Sequence, residues 1–86
     1  MVEKEIIVKN KTGIHARPAS QLVKECTKFE SDIYIKMGEK NINAKSIISV
    51  LAAGLSQGTK IILCTKGDDE VKALESIANF IDSLTE

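Results

Sequence analysis

The sequence predicts an α+β domain: a two-layer open-faced sandwich, with a four-stranded antiparallel sheet and helices on one of its faces, in the order β-α-β-β-α-β-α. Three observations predict it. Stretches of two-residue hydrophobic alternation are separated by stretches with three- and four-residue spacing. The alternating stretches keep one polar face, as in a sheet that is wet on one side. The chain has 86 residues, of which 43% are hydrophobic, and this suits a single domain over residues 1–86. A chain of this size buries roughly 60–65% of the surface its unfolded form exposes, enough to fold without staples. Its aromatic residues are Phe29, Tyr34 and Phe80, so the core must be built from Ile, Val, Leu and Ala.

The elements follow in order. In "EKEIIVKN", Val2, Lys4, Ile6 and Val8 alternate with Glu3, Glu5, Ile7 and Lys9, which reads as a first strand. "NKTG" ends it with turn residues. From Ala16 to Phe29 the period lengthens, and Ala19, Leu22, Val23, Cys26 and Phe29 form one apolar helical face. Pro18 is tolerated in the opening turn, where its missing N–H would lack a helical partner anyway. "SDIYIKMG" places Ile33, Ile35 and Met37 on one face and Tyr34 and Lys36 on the other. The chain turns at Gly38-Glu39 and returns through Ile42 and Ala44, giving a hairpin. "SIISVLAAGLSQG" reads as a short helix with Ser46 as N-cap and Gly54 and Gly58 as stop signals. "TKIILCTKG" is apolar enough for a central strand. Asp68 to Leu84 forms a last helix with an acidic first turn and a stripe of Val71, Leu74, Ile77, Ala78, Ile81 and Leu84. A ferredoxin-like fold would end on a strand; here the chain ends in a helix.

Twelve basic and twelve acidic residues cancel, and no basic tract is present, so nucleic acid is not an expected partner. No apolar run reaches spanning length, and the first residues are charged. The expectation is a cytoplasmic, monomeric protein without membrane insertion. Cys26 and Cys64 form neither a metal-ligand pair nor a redox motif, and both read as small core residues. No metal or cofactor is expected.

"TGIHARPAS" (Thr12 to Ser20) holds the chain's histidine and its proline, with Arg17 between them. A helix start offers backbone N–H groups and a partial positive charge, and both favour anions such as phosphate. A neutral imidazole at His15 has a free lone pair and can act as a nucleophile. A phosphoryl group accepted there would lie beside the N–H groups of Ala16 and Arg17. The Arg17 guanidinium could add charge-assisted hydrogen bonds, and Pro18 would hold the first turn in register. No second histidine, nearby carboxylate or metal cluster is visible, so this equipment suits a carrier better than a hydrolase. The bland alternative is a surface histidine at an ordinary helix start.

"GIHARPAS" closely resembles the active-site stretch of the HPr family, the histidine-containing phosphocarriers of the bacterial phosphoenolpyruvate-dependent sugar phosphotransferase system. "NAKSIISVLAAGLSQGT" is similar to the family's second signature, and the resemblance extends over essentially the whole chain. It implies that His15 is phosphorylated at the δ1 nitrogen (a pros-phosphohistidine), that Arg17 neutralises the phosphate, and that Pro18 opens the helix. It also implies that Ser46 is a regulatory phosphoserine. The implied partners are enzyme I as donor and the enzyme IIA domains of sugar permeases as acceptors. An HPr kinase/phosphorylase and a catabolite-control transcriptional regulator would act through Ser46. Family members without the histidine act only as regulators; this chain keeps it. Ile47, Ile48 and Leu51 share one flank of the short helix and are expected to dock partners, while Val50 and Ala53 face the core. Ile48-Ser49 stands where Gram-positive relatives commonly carry Met-Gly, and Leu51 where a methionine is common.

Overall fold

The computed structural model describes residues 1–85. The strands are β1 (Val2–Ile7), β2 (Asp32–Met37), β3 (Lys40–Asn43) and β4 (Lys60–Lys66), and the helices are α1 (Ala16–Cys26), α2 (Ile47–Ala53) and α3 (Glu70–Asp82). All strand pairs are antiparallel and the sheet order is β1-β4-β2-β3. The continuous apolar strand β4 is therefore central, as its composition predicts.

The register explains the core. Ile6 faces Ile61, Leu63 faces Ile35, and Ile35 faces Ile42 across the strands, so one sheet face is a continuous aliphatic layer. Ala19, Leu22 and Cys26 of α1 and Ala73, Ile77 and Ile81 of α3 are buried in the same core. Each fully buried large aliphatic side chain contributes roughly 1.5–3 kcal/mol of transfer free energy. The opposite face carries Glu3, Glu5, Lys36 and Lys60, joined in loose ion pairs of 3.6 Å (Lys36–Glu3) and 3.7 Å (Lys60–Glu5).

Four details differ from the sequence expectation. Helix α1 stops at Cys26, not Phe29, because Thr27 turns its hydroxyl back onto the Lys24 carbonyl at 2.8 Å and the next turn tightens. Phe29 still packs on the core from this turn, and its carbonyl accepts the Lys45 ammonium at 2.7 Å. Helix α3 is shorter than expected at both ends, and Val71 is exposed while Ala73 takes the buried position. Gly58 does not stop a helix: α2 ends at Gly54, whose left-handed φ of 63° makes the C-cap, and Gly58 lies in the turn before β4. Cys64 is buried but lies outside the core cluster. It points to the polar sheet face, between cross-strand neighbours Glu3 and Tyr34, with its Sγ 3.4 Å from Glu3 Oε2. An apolar run in a strand hides which face each residue takes, and the two-residue period assigns Cys64 to the side opposite Leu63. Burial pushes the Cys26 thiol up to about 12 and raises that of Cys64 as well, so both stay protonated.

Candidate functional site

His15 is the N-cap of α1, with extended backbone (φ −128°, ψ 161°), and its side chain makes no cap hydrogen bond. The ring is exposed. Two features hold the backbone in place. Ile14 N–H donates to the Leu55 carbonyl at 2.7 Å, an isolated bridge between the segment before α1 and the segment after α2. Gly13, at φ +66°, allows that approach: a Cβ there would come within 2.2 Å of the Leu55 carbonyl oxygen. Gly13 is therefore a requirement of the site's geometry and not only of the turn.

Ala16 follows with a φ of 34°, the one non-glycine residue with positive φ among the described residues. L-residues adopt that region at a cost of about 1–2 kcal/mol, so the chain is strained directly beside the histidine. No sequence signal announces this, since alanine is otherwise the best helix former.

His15, Ala16, Arg17 and Pro18 line one shallow concavity of about 300 Å³. Thr12 lines it too, and the sequence reading missed it. Its place three residues before His15, on the loop that must turn back toward the helix, was the available signal. The concavity lies at the start of an 11-residue helix, and an arginine and a threonine are among its lining residues. It can accommodate a tetrahedral anion bonded to an imidazole nitrogen. No group of three or more His, Cys, Asp or Glu side chains suited to a metal ion occurs among the described residues.

Ser46 is the N-cap of α2, and its hydroxyl oxygen accepts the Ser49 N–H at 3.3 Å. It does not line the His15 concavity. Helix α2 packs against α1, and its outward residues Ile47, Ile48 and Leu51 are 37%, 77% and 38% exposed, while Val50 is fully buried. Ala53 is half-buried against the core.

The family model described as "PTS HPr component phosphorylation site" matches residues 2–83. The HPr-like protein Crh of Halalkalibacterium halodurans is 44% identical, over 95% of this chain and 98% of its own length. The phosphocarrier protein HPr of Borreliella burgdorferi is 38% identical over the whole of both chains. The crystal structure of HPr-C-His from Thermoanaerobacter tengcongensis superposes with a TM-score of 0.93 at 43% identity, covering 96% of this chain and 93% of that one. Matches of this extent, on a chain with the same sheet-and-helix order, leave no other assignment: the chain belongs to the HPr family of phosphocarrier proteins.

Proposed function

We propose that this protein is a cytoplasmic phosphoryl carrier that accepts phosphate from phosphorylated enzyme I on His15 and passes it to the enzyme IIA domains of sugar permeases. The observation that carries this reading is the exposed, uncapped His15 sharing one concavity with Arg17 at the start of α1. The imidazole δ1 lone pair forms the new P–N bond as the bond from phosphorus to the donor breaks, and the electron pair leaves with the donor. Transfer onward is the same step reversed, with the new acceptor in the donor's place. Orientation supplies most of what such a transfer needs from the protein. Arg17 meets the phosphoryl oxygens with a planar fork of donors, and the helix start adds backbone N–H groups. Ile47, Ile48 and Leu51 form an apolar flank for docking.

Phosphorylation of Ser46 is the regulatory half of the proposal. The modification adds nearly two negative charges beside that apolar flank and works against an acidic partner surface. An HPr kinase/phosphorylase would install it and a catabolite-control transcriptional regulator would read it.

A second reading is a purely regulatory protein, favoured by the 44% identity to a Crh. His15 together with Arg17 supports the carrier. Incubation with enzyme I and phosphoenolpyruvate decides. A carrier acquires an acid-labile, base-stable phosphate, and a pure regulator acquires none. The carrier is proposed to act as a monomer. A Thermoanaerobacter tengcongensis relative is described as a dimer, and light scattering of the purified protein distinguishes the two.

A further inference from the structure

The segment that carries the histidine, residues 8–14, borrows its shape from the facing segment 55–59. Val8 N–H donates to the Thr59 carbonyl at 2.9 Å, Gly58 N–H donates to the Val8 carbonyl at 2.7 Å, and Ile14 N–H donates to the Leu55 carbonyl at 2.7 Å. These backbone bonds secure the two ends of the segment. The residue next to the first of these ends is held differently, by a side chain: Gln57 Nε2 donates to the Lys9 carbonyl at 2.9 Å, across 48 residues of sequence.

From Lys9 onward there is little slack. The Lys9 carbonyl shares a peptide plane with the Asn10 N–H. Asn10 is 5% exposed and closes the next turn twice: its carbonyl accepts Gly13 N–H at 3.1 Å, and its side-chain amide donates to the Gly13 carbonyl at 2.7 Å. Gly13 in turn lies hard against the Leu55 carbonyl, and Ile14 is bonded to it. His15 comes next. The Lys9 peptide is thus joined through a closed turn to the backbone that carries the imidazole.

We propose that Gln57 is a positioning residue for His15, acting through the Lys9 carbonyl and the Asn10–Gly13 turn and not by touching the phosphate. The inference rests on the reading of His15 as the phosphoryl acceptor. The chemistry required at position 57 is a donor long enough to reach a carbonyl, because a carbonyl cannot pair with another acceptor. Gln57 is exposed, so it can be replaced without opening the core.

The test compares the full chain with Gln57→Met, which keeps the length and loses the donor, and Gln57→Lys, which restores a donor. Nuclear magnetic resonance of the unphosphorylated protein reports the Gly13 to Arg17 amides and the His15 ring nitrogens. Kinetics with phosphorylated enzyme I separates the saturating rate from the half-saturating concentration. The expected result is that Gln57→Met moves the His15 signals and lowers the saturating rate by up to about tenfold, less than the roughly hundredfold that a full 1 Å misplacement can cost. Its half-saturating concentration stays the same, and Gln57→Lys recovers both readouts. Unmoved His15 signals in Gln57→Met overturn the proposal, whatever the rate does. A change confined to the half-saturating concentration also overturns it, and makes Gln57 a partner contact. Moved signals with an unchanged saturating rate overturn it as well. If the wild-type chain takes no phosphate, the carrier reading fails, and the His15 signals alone then decide whether Gln57 sets the ring.

Discussion

Helices α1 and α2 begin in opposite ways. At α2 the N-cap side chain serves its own helix: Ser46 Oγ accepts from Ser49 N–H. At α1 the N-cap side chain, His15, makes no cap bond, and the backbone beside it is strained at Ala16. A helix start that caps itself is satisfied, whereas one whose cap residue points away offers its N–H groups and dipole to a guest. The same local feature is thus a self-capped terminus in one place and, on the proposed function, the phosphate site in the other. Stability at α1 comes instead from the neighbouring segment, through Gly13, Ile14 and Leu55.

The largest effect should come from removing the guest's anchor. His15→Ala is expected to abolish phosphate uptake from phosphorylated enzyme I while leaving the thermal midpoint nearly unchanged, since the ring is exposed and caps nothing. Uptake that survives in this variant would place the acceptor elsewhere. Arg17→Ala should slow transfer by about a hundredfold, the scale of losing one donor to a developing anion. Arg17→Lys keeps the charge but not the fork and should fall between Arg17→Ala and wild type. Equal transfer rates for wild type and Arg17→Ala would remove the arginine from the chemistry.

The mould for α1 is the next place to press. Gly13→Ala forces a Cβ toward the Leu55 carbonyl and places a side chain at φ +66°. Strain at such a position alone costs about 1–3 kcal/mol, and the overlap adds to it. The urea midpoint should fall well below that of wild type. An unchanged midpoint would show that the two segments can part cheaply, and that the contrast between the helix starts does not depend on this contact.

Much of this was legible beforehand, for identifiable reasons. Strand alternation and helix spacing reveal the layers because each element must bury one face, and Ile33, Ile35, Ile77 and Ile81 lie where the period puts them. That His15 and Arg17 meet at the start of α1 and that Ser46 caps α2 was legible from motif and cap chemistry. Cys64 was misplaced because a central strand with apolar residues on both faces gives the period too little contrast. The pairing of segment 8–14 with segment 55–59 was not legible. It depends on two segments more than 40 residues apart meeting backbone to backbone, and no local preference encodes that. The Ala16 strain was not legible either, since alanine carries no signal for a positive φ.

Ser46 tests the other half of the comparison. Ser46→Ala should cost about 1 kcal/mol of stability, the usual loss of an N-cap, and leave phosphate uptake at His15 unchanged in the isolated protein. Ser46→Asp keeps an oxygen for the Ser49 N–H, so stability should hold while uptake slows, most clearly at low salt where charge effects reach furthest. Uptake as fast as wild type at low salt would reduce Ser46 to a cap and nothing more.

The smallest effect concerns a third helix start, which follows neither pattern. Asp69, the N-cap of α3, makes no cap bond to its own helix. Its carboxylate accepts instead from the Ser31 hydroxyl and from the N–H groups of Glu30 (3.0 Å) and Ser31 (2.9 Å), in the turn after α1. Gly67 stands so close to Ser31 that a Cβ there would lie 2.7 Å from the Ser31 Cα, so the two turns are clasped together. The Ser31 hydroxyl first, with the two backbone donors, holds the Asp69 carboxyl below its ordinary 3.8. A carboxyl depressed in the folded state binds its proton more weakly there than in the unfolded chain. Its contribution to stability is therefore complete above the ordinary carboxyl range and is lost as pH falls through the folded value. Asp69→Asn should be less stable than wild type by a constant margin above about pH 5, and the margin should shrink as acid neutralises Asp69 in the wild type. Ser31→Ala should show a weaker version of the same convergence, since the backbone donors remain. Thermal midpoints measured across the acid range check the sign. A margin between wild type and Asp69→Asn that stays constant into strong acid would mean that the clasp holds through packing at Gly67 and Ser31, and that the Asp69 charge contributes nothing to it.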